Sequence, residues 1–563
     1  MRTVLLLAAA AIAVSAGAAA AQTTAPPLGY GGRWTVPPSN TAGPPAPLPP
    51  TAVEFLRYAR PADATSEALV RQLGAWKLVS NEIGPALNAI VIENPNALVE
   101  ARAADAERAA GRLRGPLHGL PILIKDNIET RELPTTAGSL ALAANATGRD
   151  APIVARLRAA GAIVLGKTNL SEWANIRSTR ATSGWSAVGG QTRNPFVLDR
   201  NPCGSSSGSA VAVAAGLAPV AIGTETDGSV TCPAAVNGIV GLHPTVGLLS
   251  RTGIVPISHS QDTAGPMART VADAALLLGV MAGSDPADPA TAEADAHRTD
   301  YSAALNADAL RGRRVGVLRY AVGDNPDVQH LFDQAVADIR ALGAEPVEIT
   351  AAPETLQAIG EDELTVLLTE LRADMNAYLA TTPETVRTRT LADLIAFNRA
   401  HAEQEMPWFG QELFERAEAT RGLDDPAYLT ALEHSRTRAR DALTTMMTTN
   451  RVEVLIAPTV NGPAWTTDLL NGDHVGGSVT MLPAVAGWPH LTVPMGQVHG
   501  LPVGLSFITA AWTDAQALAF GYAYEQRTRH FQPPRFLPTL PTDAPSGTAT
   551  SSSPESAQRT EGR

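Results

Sequence analysis

Residues 203–232 read CGSSSGSAVAVAAGLAPVAIGTETDGSVTC, two loops rich in glycine and serine joined by a small-residue helix and a short apolar strand. Upstream of them, Lys125 lies at the end of an apolar run, PILIKDN. A serine hydroxyl is a poor nucleophile until a neighbouring base takes its proton, and a neutral lysine is such a base. These segments are compatible with a hydrolase in which one serine attacks, a second relays the proton and a buried lysine receives it.

The rest of the chain alternates between helical and strand patterns. Residues 153–169, IVARLRAAGAIVLGKTN, read as a helix, a glycine stop and a strand. Residues 352–450 have helical periodicity without a strand signal, which predicts a helical insertion. The alternation indicates one large α/β domain in which helices cover a sheet. The other predicted strands are 121–127, 314–322, 344–350, 453–460 and 501–509.

Both ends of the chain differ in composition from its middle. Residues 1–21 contain one arginine, then an apolar stretch and small residues, which is typical of a secretory signal peptide; an uncleaved membrane anchor is the alternative. Residues 22–50 and 537–563 are rich in Pro, Ser and Thr, so we predict a disordered leader and tail. We expect an exported protein, periplasmic or secreted, with its main domain at 51–536.

The charge of the chain bears on its partners. The formal net charge is −12, and no basic cluster offsets it. Such a balance disfavours electrostatic capture of nucleic acid or of an anionic membrane. We therefore expect a small-molecule or peptide substrate, no nucleic acid, no membrane contact after signal cleavage and no obligate protein partner.

The cysteines and histidines say little about chemistry. Cys203 and Cys232 bracket the serine loops, and both a disulfide between them and two buried thiols are compatible with the sequence. The eleven histidines show no metal-binding spacing, so no metal or other cofactor is expected. His243 and His259 lie near the serine loops, and we predict no catalytic role for either.

Three motifs together resemble the amidase signature family: GSSSGSA at 204–210, GTETDGS at 223–229, and Lys125 upstream. The family pattern is G-G-S-S-G-G-S followed about two dozen residues later by G-[ST]-D-T-G-G-S. The resemblance extends over residues 55–535. Within the family, the segments TETDGS and NPCGSSSGSA look closest to those of bacterial peptide amidases. It implies the amidase signature fold, a single α/β domain with a central mixed sheet covered by helices.

The resemblance also implies a role for each of three side chains. Ser229 is the nucleophile, Ser205 the bridging serine and Lys125 the base. Lysine acts as a base only when neutral, so burial must lower its pKa. Ser205 would carry the proton between the other two and return it to the leaving nitrogen. In the family the bridging serine follows a cis peptide bond, which here would join Gly204 and Ser205.

The second loop is expected to form an oxyanion hole, with Ser206 supporting it through hydrogen bonds. Two residues depart from the family pattern: Glu225 replaces an aspartate and Asp227 replaces a glycine. A carboxylate here would oppose developing negative charge, so we expect Asp227 to point away, to be paired, or to contact a substrate N–H or a cation. The hole donors are the backbone N–H groups of Thr226, Asp227, Gly228 and Ser229.

These residues also allow other interpretations. GSSSG matches the nucleophile elbow G-x-S-x-G with Ser206 at its centre, but that motif needs a strand directly before it, and the preceding segment is interrupted by prolines. Asp126 and Asn127 either orient Lys125 or cap the strand. Trp173, Asn175 and Trp488 are candidates for lining the substrate pocket, and packing in the core is the alternative for the two tryptophans.

The predicted activity is cofactor-independent hydrolysis of carboxamide bonds through an acyl-enzyme, at the C-terminal amides of peptides. The alternative within the class is an amidase for aryl, fatty or cyclic amides. The alternatives from other classes are a non-catalytic homologue and an amidotransferase subunit. The exact amide and leaving group, the role of Asp227 and the oligomeric state are left open by the sequence.

Overall fold

Eleven strands form one sheet in the computed structural model, which describes residues 46, 48–58 and 65–541. The predicted signal peptide at 1–21 lies outside the described residues, as do most of the predicted leader and tail. The strands are β1 (Ile90–Glu93), β2 (Pro121–Lys125), β3 (Ile163–Thr168), β4 (Trp185–Ser186), β5 (Gly190–Gln191), β6 (Val220–Glu225), β7 (Val240–His243), β8 (Thr263–Ala268), β9 (Arg314–Leu318), β10 (Glu345–Ile349), β11 (Val454–Pro458), β12 (His490–Val498) and β13 (Leu501–Ile508).

The helices fall before, between and after these strands. Short 3-10 turns and a π-helical turn at Leu78–Ile83 add to them. The α-helices are α1 (Ala52–Tyr58), α2 (Ser66–Lys77), α3 (Ala97–Ala109), α4 (Pro152–Ala159), α5 (Ser207–Ala214), α6 (Thr231–Val236), α7 (Val271–Met281), α8 (Ala294–His297), α9 (Pro326–Ala341), α10 (Leu356–Ala380), α11 (Leu391–Ala400), α12 (Ala402–Glu405), α13 (Glu412–Glu418), α14 (Pro426–Asn450), α15 (Met481–Ala486) and α16 (Asp514–Thr528).

The sheet is mixed. Its strand order is β1-β3-β2-β6-β8-β7-β12-β13-β11-β9-β10, and the two-residue strands β4 and β5 form a separate hairpin. Strands β3, β2 and β6 run parallel, as do β11, β9 and β10, whereas the pairs in the middle are antiparallel. The predicted α/β domain with a central mixed sheet covered by helices is confirmed.

Alternate residues of β2 face the two layers that cover the sheet. Ile122 and Ile124 pack in the largest apolar cluster, with residues of α4, α7, α9 and α16. Leu123 packs on the other face, with the alanines and valines of α5. Because side chains alternate along a strand, Lys125 lies on the same face as Leu123. The lysine is thus directed towards the layer that contains α5.

Lys125 and the second serine loop come close together because β2 and β6 are parallel neighbours. Ile122 pairs with Val220 and Ile124 with Ile222, so both strands end at the same edge of the sheet. Polar groups at the carboxyl ends of parallel strands are a common place for a ligand site. Lys125 ends one strand, and the loop 226–229 follows the other.

Four strands of the sheet, β1, β7, β8 and β12, were not predicted from the sequence. β8 reads TAGPMA and β7 reads VGLH, and glycine and proline are unfavourable inside isolated strands. Their burial between neighbouring strands overrides this weak propensity. Between residues 356 and 450 the structure contains helices α10 to α14. No helix among the described residues is long and apolar enough to cross a membrane.

Candidate active site

Lys125 is completely buried and bonded to Ser205. Its Nζ lies 2.7 Å from Ser205 Oγ, 2.8 Å from Thr224 Oγ1 and 3.2 Å from the Thr224 carbonyl oxygen. Ser205 is also completely buried. The fold thus brings a lysine and a serine that are 80 residues apart in the sequence within direct hydrogen-bond distance. Thr224, which sequence reasoning missed, is the third member of this contact.

Burial lowers the pKa of Lys125 to about 7. Removing an ammonium from water disfavours its charged form, and this is the largest cause. The carboxylates of Asp262 and Glu225 act in the opposite direction and partly restore the pKa. A substantial fraction of Lys125 is therefore neutral near pH 7 and able to accept a proton.

The serine loops contact each other directly. Ser206 N donates to the Ser229 carbonyl oxygen at 3.0 Å, and Ser206 Oγ donates to the Thr224 carbonyl oxygen at 3.0 Å. Thr224 N in turn donates to Ser206 Oγ at 3.2 Å. Both hydrogen-bonding directions of Ser206 are thus used to hold the loops together. The peptide bond between Gly204 and Ser205 is cis.

A disulfide bond joins Cys203 and Cys232, which the sequence alone left open. Their Cα atoms are 6.1 Å apart, and both residues are buried beside Val236 and Phe196. The first serine loop begins at Cys203, and Cys232 follows the second loop by three residues. The bond therefore ties the beginning of one loop to the end of the other.

The second loop presents four consecutive backbone N–H groups. Within residues 65–541, no protein acceptor is bonded to the N–H groups of 226–229. Unpaired donors near a nucleophile are what an oxyanion hole requires. Gly228 has φ of +74°, and a Cβ there would lie 3.1 Å from Thr480 Oγ1, so a glycine suits this position.

The first departure from the family pattern, Glu225, is accommodated by hydrogen bonds. Its carboxylate accepts from the backbone N–H groups of Val230 and Thr231 at 2.7 and 2.8 Å. The longer side chain therefore closes the turn that carries Ser229, which is 8% exposed. Glu225 is buried and directed back into the protein.

Acidic and polar groups surround the other side of the loop. Thr226 Oγ1 donates to Asp262 Oδ1 at 2.6 Å, and burial raises the pKa of Asp262 to about 6. Gln261 Nε2 donates to the Thr226 carbonyl oxygen at 3.3 Å and to Glu363 Oε1 at 2.9 Å. Sequence reasoning missed these contacts because Glu363 comes from α10, in the helical insertion.

The two residues that follow Lys125 have different contacts. Asn127 Nδ2 donates to Thr224 Oγ1 at 2.9 Å, so it orients the threonine that contacts the lysine. Asp126 forms a completely buried ion pair with Lys167 at 3.1 Å and accepts a hydrogen bond from Thr136. Burial raises the pKa of Asp126 and lowers that of Lys167.

The remaining candidates have other contacts. His243 Nδ1 lies 3.1 Å from the Trp488 carbonyl oxygen, and His259 Nδ1 lies 2.9 Å from Asp374 Oδ2. His259 and Asp374, together with Glu370, place ligand atoms within 4.8 Å of one another. Trp173 and Trp488 are both buried.

The comparisons with known proteins agree on one family. The family profile named Amidase matches residues 79–518. The crystal structure of native peptide amidase from Stenotrophomonas maltophilia superimposes with a TM-score of 0.82 and 49% identity, covering 86% of this chain and 98% of that one. A probable amidase of Arabidopsis thaliana is 38% identical over 81% of this chain and 86% of its own length. A glutamyl-tRNA(Gln) amidotransferase subunit from Roseiflexus castenholzii is 38% identical over 78% and 88%.

Proposed function

The chain belongs to the amidase signature family and is an amide hydrolase, and we propose that it releases ammonia from the C-terminal carboxamides of peptides through Ser229, Ser205 and Lys125. The observation that carries this proposal is the 2.7 Å contact between Lys125 Nζ and Ser205 Oγ. A buried lysine whose pKa is lowered to about 7 can act as a general base near neutral pH.

In the first half of the reaction the proton moves inward. Neutral Lys125 accepts the proton of Ser205, and Ser205 accepts that of Ser229 as the Ser229 oxygen forms a bond to the amide carbon. The carbonyl π electrons move to the oxygen, which becomes the oxyanion. The N–H groups of 226–229, which have no protein acceptor within 65–541, are available to bind it.

In the second half the proton returns. Ser205 donates it to the amide nitrogen, Lys125 reprotonates Ser205, and the C–N bond breaks to release ammonia. The acyl group then remains on Ser229 as an ester. A water molecule then attacks this ester and gives a proton to Lys125 through Ser205. The bond between the acyl carbon and the Ser229 oxygen breaks, that oxygen takes the proton back, and the carboxylic acid leaves.

The peptide-amide substrate is supported by two observations. The 49% identical structure is that of a peptide amidase, and its sequence likeness covers nearly the whole of that chain. In addition, polar and acidic side chains surround the nucleophile loop, including Asp262, Gln261 and Glu363. An apolar fatty chain fits such polar surroundings less well than a peptide does.

The alternative with a supporting observation is an amidotransferase subunit, since such a subunit is 38% identical over most of this chain. We propose that this protein instead acts alone and outside the cytoplasm. The signal-like composition of 1–21 and the net charge of −12 favour this choice. Cell fractionation together with size-exclusion chromatography tests it: a cytoplasmic complex with a second chain would contradict it.

The proposed activity is tested by ammonia release from peptide amides, anilides and fatty amides. We expect the peptide amides to be preferred and Ser229→Ala, Ser205→Ala and Lys125→Ala each to lose at least 1,000-fold in kcat. Ser302→Ala, in an exposed turn, is the matched control. Undiminished activity in Ser229→Ala would contradict the mechanism, and loss in Ser206→Ala alone would favour the elbow.

A further inference from the structure

Asp227 has a buried acceptor without a partner. It lies in the nucleophile loop, two residues before Ser229, and its side chain remains partly exposed. Its Oδ1 atom is nevertheless buried, and no hydrogen-bond donor among the described residues reaches it. No ion pair within that part of the chain involves Asp227 either. A buried acceptor left unpaired is unfavourable and calls for an explanation.

The other acids around the loop are satisfied by the protein. Glu225 accepts the backbone N–H groups of Val230 and Thr231. Asp262 accepts from Thr226 Oγ1 and from the backbone N–H groups of Ile257 and Ser258 at 2.8 and 2.9 Å. Asp227 alone among these three carboxylates keeps a buried oxygen free for a further donor.

Glu363 adds a second carboxyl group close to Asp227. It projects from α10, is 7% exposed, and accepts from Gln261 Nε2, which also bonds the Thr226 carbonyl oxygen. Burial and the charge of Asp227 together raise the pKa of Glu363 to about 8. Burial and the charge of Glu225 raise that of Asp227 to about 6, partly offset by the hydroxyl of Thr480. The charge of Asp227 therefore opposes the ionisation of Glu363.

A negative charge here opposes the oxyanion that forms at the neighbouring N–H groups. A substrate that brings an N–H donor to Asp227 offsets that repulsion, and one that lacks it leaves the carboxylate unpaired. We propose that Asp227, positioned by Glu363 through Gln261, accepts a hydrogen bond from the nitrogen on the α-carbon of the substrate's acyl group. The favoured substrates are therefore α-amino acid amides and peptide amides. This inference rests on the proposed function and specifies how its substrate is chosen.

Matched amides test the inference in the wild-type enzyme. N-acetyl-leucinamide carries the α N–H, its analogue methylated on the α nitrogen carries a methyl group in place of that hydrogen, and 4-methylpentanamide lacks the whole amino group. We expect kcat/KM for N-acetyl-leucinamide to exceed that for the N-methyl analogue by at least 100-fold. Free leucinamide distinguishes the two sources of the donor. Its kcat/KM exceeds that of N-acetyl-leucinamide if the enzyme prefers an ammonium group, and falls below it if the enzyme prefers a peptide N–H.

Variants test whether Asp227 causes the preference for substrates with an α N–H. Asp227→Ala is expected to reduce the ratio between N-acetyl-leucinamide and its N-methyl analogue to less than tenfold, and to raise kcat/KM for 4-methylpentanamide about tenfold. Asp324→Ala, at an exposed aspartate, should leave both values unchanged. A wild-type ratio below tenfold, or an unchanged ratio in Asp227→Ala, overturns the inference while amide hydrolysis stands. Failure of the wild-type enzyme to release ammonia from any of these amides overturns the proposed function instead.

The positioning role of Glu363 has its own readout in the pH profile. Ionisation of Glu363 adds a second negative charge beside Asp227, with Glu225 and Asp262 already near the loop. The wild-type kcat/KM for N-acetyl-leucinamide should therefore fall above pH 8, and Glu363→Gln should remove that fall. Glu361→Gln, exposed on the same helix, should retain it. A fall that persists in Glu363→Gln would overturn this part of the inference.

Discussion

Lys125 Nζ and Ser205 Oγ lie 2.7 Å apart inside the protein, with neither side chain exposed to solvent. The lysine comes from the end of β2 and the serine from the loop before α5, and Thr224 of β6, the parallel neighbour of β2, contacts the same lysine. The lysine also donates to the carbonyl oxygen and the hydroxyl of Thr224, and Asn127 holds that hydroxyl by a hydrogen bond of its own. The pH dependence and the reactivity of the site follow from this contact and its surroundings.

The activity should rise with pH through a midpoint near 7. Lys125 must be neutral to accept a proton, and its pKa is lowered to about 7 by burial. Below that pH the ammonium cannot serve as the base, so kcat/KM falls about tenfold per pH unit. A pH profile of ammonia release measures this, and full activity at pH 5 would contradict it.

Replacing Lys125 by methionine should abolish activity and stabilise the fold. Holding the lysine neutral at pH 7 costs about 5 kcal/mol, and the loss of its hydrogen bonds to Ser205 and Thr224 offsets part of the gain. We expect the free energy of unfolding to rise by about 1–3 kcal/mol at pH 7.

This stabilisation has a defined pH dependence. The unfolded lysine binds a proton up to its ordinary pKa of 10.5, whereas the folded one loses it near 7. The penalty on the wild type is therefore complete below pH 7 and disappears as the pH rises towards 10.5. Urea denaturation at pH 6.5 and pH 10 tests this: an equal difference between Lys125→Met and wild type at both pH values would contradict it.

Thr224→Val should slow the reaction and shift its pH profile. The hydroxyl accepts from Lys125 Nζ at 2.8 Å and helps to stabilise the ammonium. Its removal should lower kcat by 10- to 100-fold and move the rising limb of the profile to lower pH. Thr448→Val, at an exposed helical position, is the control, and a limb shifted to higher pH would contradict the assigned contact.

Loss of the disulfide should destabilise the protein. The bond between Cys203 and Cys232 closes a loop with a sequence separation of 29. Closing a loop of that length restricts the unfolded chain by about 3–4 kcal/mol in the chain-entropy account. We expect the Cys203→Ala/Cys232→Ala variant to unfold at lower urea concentration than the oxidised wild type, and to match the wild type treated with a reductant. Coincident unfolding of the oxidised and reduced wild type would be inconsistent with this.

The sequence predicted the α/β domain and its central sheet because long apolar periodicities and glycine stops are local signals. It missed β7 and β8, whose glycine and proline become acceptable only between paired neighbours. The roles of Ser229, Ser205 and Lys125 remain predictions, although the structure places Lys125 against Ser205 and joins the two serine loops.

The contacts of Thr224 and Glu363 could not be predicted in the same way. Thr224 is an ordinary strand residue until β2 places Lys125 beside it. Glu363 reaches Gln261 only because the helical insertion packs over the loop, and no local pattern encodes that long-range contact. The sequence could not decide between a disulfide and two free thiols for a similar reason, since the pairing depends on the distance between two loops.

The most direct test of the account is to locate the nucleophile chemically. An alkyl fluorophosphonate phosphonylates an activated serine with loss of fluoride, and fragmentation of the reduced peptide 201–251 by mass spectrometry distinguishes Ser205, Ser206 and Ser229. We predict a single label on Ser229, abolished in Lys125→Met and retained in Ser302→Ala. A label on Ser205 or Ser206, or undiminished labelling without Lys125, would contradict the proposed mechanism.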